Sequence, residues 1–90
     1  MKRKTHHTYA AATFATLSEL SRRGFDVSLT IGNTPKTDIL CSLAEHDPIK
    51  IEVKGISSAN GFYIKKDFFD HTEETQRFLI VVLVPEIGFP

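Results

Sequence analysis

The sequence predicts a small α/β sandwich, one long helix laid on a mixed sheet. Three features carry that expectation: a helical-period stretch near the N-terminus, an alternating segment directly after it, and the run Phe78–Val84, apolar on both faces. Period 3.6 marks a helix with one buried stripe, whereas period two marks a strand with one buried face. A run apolar on both faces marks a strand covered on both sides, as in a parallel sheet. The predicted order is helix, three strands, a crossover containing a helix, then a strand.

The helix is expected from about Thr8 to Arg23. Ala10, Phe14, Leu17 and Leu20 recur at steps of four, three and three and line one face. Thr5 or Thr8 can cap its start. Arg22 and Arg23 suit the negative end of the helix dipole, and Gly24 supplies the left-handed residue that ends the helix. Phe25, Val27 and Leu29 then alternate with Asp26, Ser28 and Thr30, giving the first strand. Gly32-Asn33-Thr34-Pro35 is a turn by composition.

A second strand is expected over about Thr37–Ala44 and a third over Ile49–Lys54, joined through His46-Asp47-Pro48. Gly55–Gly61 reads as a loop, Phe62–Ile64 as a short extended piece, and Asp70–Gln76 as a short helix capped by Asp70. The final strand, Phe78–Val84, belongs in the middle of a sheet and parallel to a neighbour. Such a pairing needs a crossover, which the stretch from Gly55 to Gln76 can supply. No repeat or linker interrupts the chain, so residues 1–90 read as one domain.

Composition excludes several function classes. Eleven basic residues balance eleven acidic ones, so contact with nucleic acid would rest on local clusters such as Arg22-Arg23 or Lys65-Lys66. A single cysteine rules out a disulfide framework and a multi-cysteine zinc site. Apolar runs fall far short of the ~20 residues that span a bilayer, and no secretion signal is recognisable, so a cytoplasmic protein without a membrane partner is expected. Cys41 alternates with Ile39 and Leu43 as a core residue does. His6, His7, His46 and His71 form no ligand spacing. Phe62-Tyr63 and Phe68-Phe69 suit sheet cover or a dimer face better than base stacking.

The chemistry concentrates on the third strand. Ile49, Ile51 and Val53 point to one face, Lys50, Glu52 and Lys54 to the other. Asp38 begins the neighbouring strand. Two carboxylates and the Val53 carbonyl offer hard oxygen donors of the kind magnesium prefers, with Lys54 beside them to stabilise charge on a phosphate. A solvent-facing Lys-Glu-Lys stripe paired to an aspartate would give the same pattern. Register separates the two readings, because Asp38 must lie opposite Lys54 or be offset from it by an even number to share its face.

Arg23-Gly24-Phe25-Asp26-Val27-Ser28, Thr37-Asp38-Ile39-Leu40 and Ile51-Glu52-Val53-Lys54, with the spacing Asp38-x13-Glu52-x-Lys54, resemble the PD-(D/E)xK nuclease superfamily over nearly the whole chain. That group includes restriction-endonuclease-like enzymes and Holliday junction resolvases. The resemblance implies a restriction-endonuclease-like αβββαβ core, a mixed β-sheet flanked by helices. It also implies Mg²⁺- or Mn²⁺-dependent hydrolysis of DNA phosphodiester bonds and frequent homodimers. Asp38 and Glu52 match its metal-binding carboxylates and Lys54 its catalytic lysine. Ser57 and Ser58, directly after the lysine, are candidates for substrate contact. Resolvase-like members carry a glutamate on the first helix where this chain has Thr13, and Glu19 lies at a different angle. Thr13 and the neutral charge support the competing expectation, a non-catalytic member that binds a protein or nucleic-acid partner.

Overall fold

The computed structural model describes residues 3–30, 37–42, 46–58, 61 and 77–86. Among them are one helix, α1 (Thr5–Arg22), and four strands, β1 (Asp26–Leu29), β2 (Ile39–Ser42), β3 (Ile49–Ile56) and β4 (Arg77–Leu83). The strands form one mixed sheet in the order β1-β2-β3-β4, antiparallel between the first three and parallel between β3 and β4. This is an α/β architecture with α1 against one sheet face. No helix among the described residues is long and apolar enough to cross a membrane.

Helix α1 begins after Lys4, not after a capping threonine. The Lys4 N–H is taken by the His7 imidazole at 3.0 Å, a side chain reaching back to the helix start. At the other end Gly24 adopts φ +90°. The Gly24 N–H bonds the Ser21 carbonyl and the Phe25 N–H bonds the Leu20 carbonyl, both at 3.1 Å. Those two bonds satisfy carbonyls that a helix end otherwise leaves open, and only the left-handed turn at glycine allows both. Phe25 and Leu20 then both pack against the core.

The core is small and centred on β2 and β3, with Ala12, Ile39, Cys41, Ile51 and Val53 buried and Val27, Ile80 and Val82 packed around them. The helix buries Ala12, Thr13 and Thr16, while Phe14 remains 61% exposed. Of the expected stripe, Leu17 and Leu20 pack against the core while Phe14 is turned to solvent. The reason lies in β3. Gly55 has no side chain, and a Cβ built there would sit 2.8 Å from the Thr8 carbonyl and 3.0 Å from the Ala12 Cβ. Small residues four apart, Thr8 and Ala12, bring the helix backbone down onto that glycine. Close approach decides the buried face here, ahead of side-chain hydrophobicity.

Two further expectations change. Gly55 and Ile56 belong to β3, not to a loop. And β4 pairs in parallel with β3 as expected but, among the described residues, lies at the end of the strand order and not in the middle. Apolarity on both faces of a strand reports what lies above and below it, which is independent of how many strands flank it. Ile80 and Val82 pack toward the core, while Leu79 and Val81 lie on the opposite face beside Glu52 and Lys54. Ahead of α1, the Arg3 guanidinium donates to the carbonyls of Val84 and Pro85 just past β4. The expected pieces at Phe62–Ile64 and Asp70–Gln76, the turn at 32–35, and the aromatic pair Phe68-Phe69 lie outside the described residues.

Candidate functional site

Strands β2 and β3 pair as Ile39↔Ile51, Leu40↔Lys50 and Cys41↔Ile49. The paired register ends at Ile39↔Ile51, and Asp38 lies just beyond it with its N–H turned to that same Ile51 carbonyl, so parity of register does not place Asp38 on the face of Lys54. Within β3, Ile51 and Val53 are buried toward the helix, and Glu52 and Lys54, half-buried, share the other face.

Asp38 is held at every polar atom of its backbone. Its carbonyl accepts the Thr30 N–H at 3.0 Å, and its own N–H donates to the Ile51 carbonyl at 2.8 Å. The Thr30 hydroxyl adds a bond to the Thr37 carbonyl at 2.6 Å. The residue is thus clamped between the end of β1 and the middle of β3. Its carboxylate is equally engaged. Oδ2 accepts the backbone N–H of Val53 at 2.7 Å, and Oδ1 accepts the Tyr9 hydroxyl at 2.6 Å. Just beyond the paired stretch of β2, the aspartate side chain takes an N–H of β3 that would otherwise need another acceptor.

Tyr9 approaches from the first half of α1. Partial burial pushes its phenol above the ordinary 10.0, the hydrogen bond and the negative charge of Asp38 push it further, and neighbouring Thr13 pulls slightly the other way. Thr13 is 2% exposed, and its Oγ1 has no hydrogen-bond partner of normal geometry.

Glu52 faces a different partner. Its Oε2 pairs with Arg77 at the start of β4 at 3.2 Å, and the arginine side chain is only 5% exposed. The structure therefore brings Asp38 against the peptide of Val53, the residue between Glu52 and Lys54. It engages the two carboxylates with separate partners, Tyr9 and Arg77. No group of three or more His, Cys, Asp or Glu side chains converges among the described residues. Magnesium does not demand such a group, since one or two carboxylates with water complete its shell, and two carboxylates plus the Val53 carbonyl have the right donor chemistry.

Ser57 and Ser58 are exposed just past β3. With Thr5, Thr8, Gly55 and Gly61 they line an open cleft of about 270 Å³ at the start of the helix. A larger groove of about 360 Å³ runs between α1 and β4 past Thr16, Leu20, Ile80 and Val82, is mostly apolar, and contains no candidate site residue. Cys41 is buried, and burial followed by the charge of Asp26 raises its thiol pKa, as suits a core residue and not a nucleophile. The exposed His6 and His7 rings lie 4.1 Å apart, tilted by 49°.

Tyr9 and Arg77 are the residues that reading the sequence missed. Tyr9 lies one turn before Thr13 on the same helix face, so extending the face of the resolvase-like glutamate position by four residues would have found it. Arg77 carried a weaker signal, a cation directly ahead of an apolar strand. Compared with protein-family models, curated proteins and solved structures, the chain matches none of them.

Proposed function

We propose that this chain is a PD-(D/E)xK-like, magnesium- or manganese-dependent domain that hydrolyses DNA phosphodiester bonds. One observation carries the reading. The Asp38 carboxylate bonds the N–H of Val53 at 2.7 Å, which anchors it on the peptide flanked by Glu52 and Lys54. Asp38, Glu52 and the Val53 carbonyl would hold the ion. When bound, it supplies positive charge against the phosphate and makes a water more acidic.

The remaining work falls to the protein. Lys54, on the Glu52 face, presents an ammonium to the negative charge that develops on the phosphoryl oxygens. Ser57 and Ser58, exposed after β3, offer hydroxyl donors to a phosphate backbone. Asp38, fixed through backbone and side chain alike, keeps its geometry without reorganising. A homodimer would present two such sites to two strands.

The test is cleavage of single-stranded, duplex and branched DNA with Mg²⁺ or Mn²⁺. Asp38→Ala and Lys54→Ala should each abolish cleavage with the helix and sheet signals of circular dichroism unchanged. A wild-type protein that cuts none of these substrates with either ion overturns the reading.

A second reading has its own observation. Glu52 already has a cationic partner in Arg77, and Thr13 stands where resolvase-like relatives carry an acid. Both favour a scaffold that binds a protein or nucleic-acid partner without catalysis. Calorimetry separates the two: a catalytic site binds Mn²⁺ in a way that Glu52→Gln weakens, and a non-catalytic scaffold gives no such heat.

A further inference from the structure

Two threonines on the buried face of α1 behave differently. Thr16 donates its hydroxyl to the Ala12 carbonyl at 2.8 Å, the usual outlet for a threonine inside a helix. Thr13, equally buried, does not use that outlet, and its Oγ1 is without a partner. A buried hydroxyl with no bond is costly enough to need a reason. One turn earlier on the same helix stands Tyr9, whose hydroxyl proton is given to Asp38 Oδ1 at 2.6 Å. The Tyr9 oxygen still has lone pairs, and Thr13 has a proton to give. The Tyr9 hydroxyl thus ties the helix face that carries Thr13 to the Asp38 carboxylate.

We propose that Tyr9, backed by Thr13, is the positioning residue of the cation site, setting the Asp38 carboxylate in the orientation in which it accepts a divalent ion. This deepens the function proposed above and rests on it. With Val53 N–H on Oδ2 and Tyr9 on Oδ1, the carboxylate cannot rotate. Each oxygen keeps a lone pair for a metal, because an ionised carboxylate has about four acceptor positions and these bonds use two. Hydrogen-bonded neighbours of this kind orient ligating carboxylates, and removing one typically weakens metal binding about 10–100-fold. When the ion draws charge from Asp38, the Tyr9–Asp38 bond weakens.

The experiment is Mn²⁺ calorimetry on wild type, Tyr9→Phe, Thr13→Val, the double variant and Asp38→Asn, with urea unfolding of each. Tyr9→Phe should weaken Mn²⁺ binding about tenfold or more. Thr13→Val should weaken it a few-fold, and adding it to Tyr9→Phe should cost nothing further, since the two act as one unit. Tyr9 is 43% exposed, so its loss should leave the urea midpoint nearly unchanged. Should Tyr9→Phe fold poorly, the few-fold loss in Thr13→Val carries the test.

A spectroscopic readout removes the purely structural explanation. The chain has two tyrosines, so Tyr63→Phe leaves Tyr9 as the sole one. Mn²⁺ should then produce a tyrosine ultraviolet difference spectrum that Asp38→Asn abolishes. Wild-type Mn²⁺ binding that Tyr9→Phe leaves unchanged, or a difference spectrum that persists in Asp38→Asn, overturns the positioning role alone. A wild type that binds no Mn²⁺ overturns the cation site and this role with it.

Discussion

Replacing Gly55 with alanine tests the packing that sets the whole helix in place. The new Cβ would meet the Thr8 carbonyl oxygen at 2.8 Å, the Ala12 Cβ at 3.0 Å and the Thr8 Cγ2 at 3.1 Å. The first of these is backbone, so no side-chain rotation relieves it, and the helix itself must lift. Forcing a methyl into a packed interface costs about 1–3 kcal/mol. Against that, alanine restricts the unfolded chain and returns about 0.4–1 kcal/mol. The net expectation is a loss of about 1–2 kcal/mol. For a domain of this size that lowers the melting temperature by very roughly 4–16 °C, read by circular dichroism or by the urea midpoint. Ala12→Gly in the Gly55→Ala background removes the 3.0 Å contact and leaves the 2.8 Å one, so it should restore only part of the midpoint. A Gly55→Ala protein as stable as wild type would refute the claim that close approach selects the buried helix face.

Ile39→Ala, at a fully buried position, should cost about 2–5 kcal/mol, while Phe14→Ala should stay within about 0.5 kcal/mol because Phe14 is 61% exposed; equal losses in urea unfolding would contradict the observed face of α1. Arg77→Ala strips Glu52 of its ion-pair partner and should cost about 2 kcal/mol, below the value for a fully buried pair because the Glu52 side chain keeps 30% exposure; an unchanged midpoint would mean that water replaces the arginine. The Cys41 thiol has a folded pKa raised above 9.0 by burial and by Asp26, so its contribution is fully present below pH 9 and is lost as pH rises through the raised value. Unfolding free energy measured from pH 8 to pH 10.5 should therefore fall more in wild type than in Cys41→Ala, and parallel curves would contradict it.

What could be read from the sequence divides along physical lines. Signals set by local backbone chemistry transferred well. Gly24 ends α1 because a positive φ is needed there, and Val27 turns toward the core from an alternating strand. The parallel pairing of β4 followed from its two apolar faces, and Cys41 is core. Signals that depend on how two elements meet did not transfer. The buried stripe of α1 was placed through Phe14 because hydrophobicity was the only guide, whereas the contact is made by Thr8 and Ala12 over Gly55. The same glycine looked like the start of a loop when it is part of β3. For the candidate site, spacing named Asp38, Glu52 and Lys54, while the register that would set Asp38 on their face ends one residue short of it, at Ile39↔Ile51. Tyr9 and Arg77 escaped because each comes from a different element, brought near only by the tertiary fold.

The Arg3 guanidinium, bonded to the carbonyls that follow β4, holds the leading and trailing segments of this domain side by side. Adjacent ends allow the order of a chain to be rearranged without redrawing its fold. A short glycine-serine bridge from Glu86 back to Arg3, with new termini opened between β2 and β3, should give a circular permutant that folds to the same sheet. Such a molecule would move any attached tag from the Arg3 side of the sheet to the connection between two core strands.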